Sequence, residues 1–109
     1  MGLMDNLKKK AEEAGQKVRI LADIAKLISE KKQVLTLLKK TYEDAGETIM
    51  SLYRDHRDIH SIKPILDDFL DKILDLEKRL RDIETQIANK KSEAAQAGVS
   101  AREIEKIEE

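Results

Sequence analysis

From Lys17 to Asp58 the chain has no proline and one glycine, Gly46, and its apolar residues recur with helical spacing throughout. Leu21, Ile28, Leu35, Tyr42 and Ile49 lie seven apart. Ile24, Leu38, Ala45 and Leu52 fall three residues after members of that series, with Lys31 the one charged intruder. An apolar residue every three and four positions is the pattern of a coiled-coil seam, and few other folds accept it over this length. A second seam follows. Leu66, Ile73, Leu80, Ile87 and Ala94 lie seven apart, interleaved with Phe69, Leu76, Ile83, Lys90 and Ala97. It stops at Gly98, a residue suited to end a helix.

The segment between the seams reads Asp58-Ile59-His60-Ser61-Ile62-Lys63-Pro64. Proline is tolerated in the first turn of a helix, and serine caps helix starts, so Ser61 is the expected N-cap. Asp67 and Asp68 would then place negative charge near the helix N-terminus. Ser100 and Glu103 have the spacing of a capping box and open a last short helix carrying Ile104 and Ile107. The expected architecture is therefore all-α, in one domain over residues 1–109. It is a long antiparallel coiled-coil hairpin with helices at about 3–58 and 62–97, a turn at about 58–62 and a short helix at about 100–108.

In such a hairpin, facing residues have a constant sum of numbers. A sum of 118 places the turn near Ile59 and pairs Ile24 with Ala94, Leu21 with Ala97 and Leu38 with Leu80. This register leaves Ile20, Leu27 and Val34 on one flank of the first helix, and Ile65, Leu70 and Leu74 on the second, with nothing to cover them. These six are the expected interface of a homodimer or tetramer, assembled as a four-helix bundle. Another helical protein is the alternative partner. Lys31 and Lys90 fall in adjacent layers, so the other copy is expected to leave them an exit to solvent or to supply a carboxylate such as Glu30 or Glu84. Gly46 next to Ala45 reads as room for bulky residues opposite, with a kink at Gly46 as the alternative. The stripe Met4, Leu7, Ala11, Ala14, Val18 either extends the first helix or bends away at Gly15.

Composition removes several functions. With no cysteine there is no thiol catalysis, disulfide framework, Cys-ligated zinc or iron–sulfur cluster. Charged residues make up 39% of the chain, yet 21 basic and 22 acidic residues leave a net charge of −1, which argues against a bulk grip on nucleic acid. No apolar run approaches the roughly 18 residues needed to span a bilayer. The N-terminus lacks a signal-peptide core, and Asn6 stands where a myristoylation motif wants Ser or Thr, so a cytoplasmic location is expected.

Two features invite a chemical reading. His56 and His60 are four apart, a spacing that puts two imidazoles on one helical face, as in many helical zinc sites. They lack an accompanying His-Glu-x-x-His pattern and fall near the turn, so no metal site is expected, with His56 and His60 the only candidates. Carboxylates gather on both sides of the turn, but nothing in the pattern buries one, and a solvated face is the expected role. No phosphate loop, nucleophile elbow or catalytic triad signature occurs, so no catalytic residue, cofactor or enzymatic activity is expected. Residues 1–19 carry five basic and three acidic side chains around a modest apolar stripe. That makes a membrane surface the alternative partner to self-association.

The opening Met-Gly-Leu-Met-Asp-Asn-Leu-Lys-Lys-Lys-Ala-Glu-Glu-Ala resembles the start of small bacterial proteins that carry a helical segment followed by a zinc ribbon. The stretch Leu38 to Arg54, with Tyr42 and Gly46 before Leu52-Tyr53, is similar to their helix. The resemblance covers most of residues 1–92 and implies a helical adaptor or scaffold. This chain has no cysteine, so it has no ribbon, and no site residue carries over.

Overall fold

The computed structural model describes residues 2–56 and 58–108. It contains helices α1 (Leu3–Arg54), α2 (Ile59–Gln96) and α3 (Ala101–Glu108), and no strand among the described residues. The chain is all-helical, with α1 and α2 packed on each other. Helix α1 runs unbroken through Gly15, so the N-terminal stripe extends the first helix. Arg57, which the expected first helix included, lies outside the described residues. The chain divides into two compact units.

The first unit comprises Met1–Glu30 and Ile83–Glu109. Its centre is Ile20, Ile24, Ala94 and Val99, with Leu21, Ile28, Ala97, Ile104 and Ile107 packed around them. The expected partners Ile24–Ala94 and Leu21–Ala97 thus meet in one cluster. A Schellman motif closes α2. Gly98 takes a φ of +84°, its N–H donates to Ala95 O, and the Val99 N–H reaches back to Ala94 O at 2.9 Å. Val99 and Ala94 are both buried, which is the apolar contact that accompanies this cap. The chain then turns directly into the capping box. The Ser100 Oγ accepts the Glu103 N–H at 3.3 Å, and the Glu103 carboxylate accepts the Ser100 N–H at 3.4 Å. Two consecutive caps therefore aim α3 back at the core. An ion pair between Lys91 and Glu108 fastens its far end.

The second unit is Lys31–Asp82. Val34, Leu38, Ala45 and Leu76 are buried, and Ile49, Leu52, Phe69, Ile73 and Leu80 are half-buried around them. Beyond the end of α1, His56 takes a φ of +57°, a left-handed conformation that non-glycine residues adopt at a cost. Asp58 caps α2 through its carbonyl, which accepts the Ser61 and Ile62 N–H groups. Ser61 is therefore not the cap. It lies within the first turn, where its hydroxyl donates to Asp58 O at 2.6 Å. Pro64 sits inside the helix, one turn deeper than expected, and Asp67 and Asp68 lie beyond the first turn. The helix starts one turn earlier than the capping signals imply because the segment Ile59–Lys63 is helical ahead of the proline.

The largest correction concerns the rotation of α1. Its most buried line is Ile20, Ile24, Leu27, Val34, Leu38 and Ala45, with Lys31, Thr41, Thr48 and Leu52 half-buried between them. These positions alternate in steps of four and three, so the seam is a true heptad, but its first series is displaced by one residue from Leu21, Ile28, Leu35 and Tyr42. Leu35 and Tyr42 are exposed. Centring the seam on Tyr42 would bury a phenolic hydroxyl, which prefers a partner at the edge of an apolar region. Here that hydroxyl lies 3.4 Å from Glu77 Oε1. Threonines at 41 and 48 break the apolar run in the buried phase, which is why the neighbouring phase reads more strongly in the sequence. On α2 the expected phase holds: Leu76, Ile83, Ile87 and Ala94 are buried.

Candidate functional site

The six expected interface residues divide into two groups. Ile20, Leu27 and Val34 are buried within the chain, at 3%, 8% and 3% exposure, and do not form an uncovered flank. Ile65 is half-buried, whereas Leu70 and Leu74 are half-exposed at 50% and 52%. The α2 flank therefore remains on the surface, and the α1 flank does not.

The rotation of α1 gives Leu70 and Leu74 new neighbours. Tyr42 of α1 reaches Glu77 of α2, so these two residues lie on the same side of the second unit. Leu70 and Leu74 precede Glu77 by seven and three residues and share its side of α2. Ile49 and Tyr53 follow Tyr42 by seven and eleven and share its side of α1. The result is one apolar face assembled from Tyr42, Ile49 and Tyr53 with Leu66, Leu70 and Leu74. Gly46, four residues after Tyr42 and three before Ile49, lies among them. A Cβ at Gly46 would meet nothing within 4 Å. The glycine does not make room for a bulky neighbour, as its sequence context suggested, and leaves a shallow hollow in the face.

A second exposed apolar surface lies on the first unit. Leu3, Met4, Leu7 and Val18 are all more than half exposed, and residues 2–14 contain no buried position. At 100° per residue these four, with Ala11 and Ala14, fall on one side of α1. Lys8 and Arg19 border that side on one edge, and Lys10 and Lys17 on the other. Glu12 lies beside Lys8 and Arg19, while Asp5, Lys9 and Glu13 point away.

The histidines do not form a pair. Helix α1 ends before His56 and α2 begins before His60, so their spacing of four is not carried by one helical face. Both are exposed. Among the described residues no group of three or more His, Asp or Glu side chains could hold a metal ion. No helix of the described residues is long and apolar enough to cross a membrane.

Lys90, expected to need an exit to solvent or a carboxylate from another copy, finds two carboxylates in its own unit. The Lys90 ammonium lies 3.3 Å from Glu93 and 3.3 Å from Asp23. Hydrogen bonding to Glu93 first, and then to Asp23, raises its pKa above the ordinary lysine value. Lys90 also borders a shallow groove with Asp23, Lys26, Leu27, Glu30 and Gln86. The groove is open and mostly charged at its rim, and nothing in it arranges a nucleophile beside a base. No family model matches the chain, so no zinc-ribbon or other family link is shown, and neither a curated protein nor a solved structure matches it.

Proposed function

We propose that this is a non-enzymatic, cytoplasmic helical interaction protein that self-associates through the apolar face of its second unit. The observation that carries the reading is the convergence of Tyr42, Ile49 and Tyr53 with Leu66, Leu70 and Leu74 on one exposed side. Aromatic and leucine side chains gathered on one face are the composition of the buried centre of an interface. Scattered exposed leucines need no explanation, but a continuous patch does. The four-helix bundle expected from six uncovered flank residues loses half its basis, because Ile20, Leu27 and Val34 are already covered. The self-associating surface instead combines Leu70 and Leu74 with the aromatic residues of α1.

Light scattering on the full chain at tens of micromolar tests this. The wild-type protein should have at least twice the chain mass. Leu70→Glu with Leu74→Glu should reduce it to one chain while leaving the helical circular dichroism intact. A wild-type monomer at that concentration would refute self-association. A second reading, a peripheral membrane protein, is favoured by one observation: the exposed Leu3, Met4 and Leu7 beside Lys8 and Lys10. Flotation with anionic vesicles separates the two.

A further inference from the structure

We propose that α3 is a hinged latch over the apolar core of the first unit, and that it opens while α1 and α2 stay folded. The inference concerns the first unit alone and stands apart from self-association through the second. It begins from how little α3 buries. The helix has eight residues and none of them is buried. Isolated helices shorter than ~12–15 residues are marginal in water, so α3 takes its stability from what it touches. That contact is narrow. Ile104 and Ile107, half-buried, pack against the cluster of Ile20, Ile24, Ala94 and Val99. Glu108 adds its ion pair with Lys91, whose two side chains are each 40% exposed, and an exposed pair of this kind holds weakly. Arg102, Glu103, Glu105 and Lys106 are exposed.

The caps divide the segment at Ser100. Before it, the Schellman hydrogen bonds of Gly98 and Val99 belong to the end of α2, Val99 is buried, and the Lys17 side chain of α1 lies beside Gly98. After it, the reciprocal hydrogen bonds of Ser100 and Glu103 are internal to the start of α3. Rotation of the backbone at Ser100 therefore leaves the end of α2 intact. It undoes the Ile104 and Ile107 contacts and the Glu108 ion pair. The two sides of the contact are unequal. α3 contributes two half-buried isoleucines, whereas Ile24 and Ala94 beneath it are at 0% exposure and Ile20 at 3%. Opening thus gives up little of α3 and bares an apolar groove between α1 and α2 of this unit. Segments that open independently are those with few buried apolar contacts, and α3 has that character.

Hydrogen exchange on the full chain tests the latch. Amides of residues 105–108 should be protected about a hundredfold less, or weaker still, than those of residues 24–28 and 87–94. Low concentrations of urea should leave exchange in 105–108 unchanged, because opening the latch exposes little surface. Equal protection with one shared urea dependence would overturn the proposal, since α3 would then open only with the whole unit. Ile104→Ser with Ile107→Ser should release the latch. Protection within 24–28 and 87–94 should then fall by less than about threefold, while that of 105–108 disappears. The variant should also bind anilinonaphthalene sulfonate with severalfold higher fluorescence than wild type. Collapse of protection throughout the unit would make α3 integral to the core, and a dye signal equal to wild type would leave no groove to cover. Either result overturns the latch, and neither bears on self-association, which light scattering reads separately.

Discussion

Replacing Val34 with lysine, and separately Leu35 with lysine, tests the rotation of α1 on which the exposed face depends. Val34 is 3% exposed and Leu35 44% exposed, although they are adjacent and both apolar. Burial of a valine side chain is worth about 1.5 kcal/mol or more, and nearly all of it is lost in Val34→Lys. The new ammonium must also leave water or force its stem out of the seam, which adds a further desolvation or packing cost. The expected loss is about 3 kcal/mol or more. Leucine at position 35 has realised only about half of its burial, and lysine matches leucine in helix propensity, so Leu35→Lys should cost about 1 kcal/mol or less. With a urea slope of roughly 1–3 kcal/mol per molar, the two midpoints should differ by about 1 M or more. Helical circular dichroism is the suitable probe, because the chain has no tryptophan. Equal midpoints, or a lower midpoint for Leu35→Lys, would show that the seam is centred on the Leu21, Ile28, Leu35 and Tyr42 series. A Val34→Lys protein that stays fully helical with smaller mass would show that Val34 faces another copy.

Four further outcomes follow from individual residues. Gly46→Ala should raise helix stability by about 1 kcal/mol, since the position is helical and its Cβ meets nothing, and a lower urea midpoint for the monomer would contradict that. Pro64→Ala restores an amide donor inside α2 and should stabilise the second unit by up to about 3 kcal/mol, read as a higher melting temperature. Gly98→Ala places a side chain at a φ of +84° and should destabilise by about 1–2 kcal/mol, with α3 the segment whose amide hydrogen exchange accelerates most. Lys90 has a raised pKa, so its contribution is complete below the ordinary lysine value of 10.5 and fades as pH rises through the raised one. The stability gap between wild type and Lys90→Met should accordingly be constant from pH 7 to about 10 and close above that range.

The parts of the fold that were legible in the sequence are those set by local chemistry. Gly98 followed by Ser100 and Glu103 marks the end of one helix and the start of another, and the Schellman motif and capping box stand there in the structure. The α2 seam was legible because one phase clearly outweighs the others. On α1 two heptad phases, one residue apart, are both apolar between residues 20 and 35. Choosing between them requires knowing which neighbours tolerate threonine inside and tyrosine at the edge, and that is a property of packing. The start of α2 is not legible in the sequence because the proline rule excludes the helix interior on average energetic grounds. Here Ile59 to Lys63 continue the helix ahead of Pro64. A penalty of that size can be absorbed where the remaining residues of a 38-residue helix favour it.

The rotation of α1 also decides what was legible about the candidate site. Leu70 and Leu74 could be identified from α2 alone, since they lie outside a seam that was correctly placed. Their partners could not, because the strongest heptad spacing places Tyr42 and Ile49 in the interior. One rotation of roughly 100° exchanges the roles of two stripes: it buries Ile20, Leu27 and Val34 and turns Tyr42 toward Glu77. The sequence did hold one signal for the exposed phase, namely Glu43, Asp44 and Glu47 clustered around Gly46.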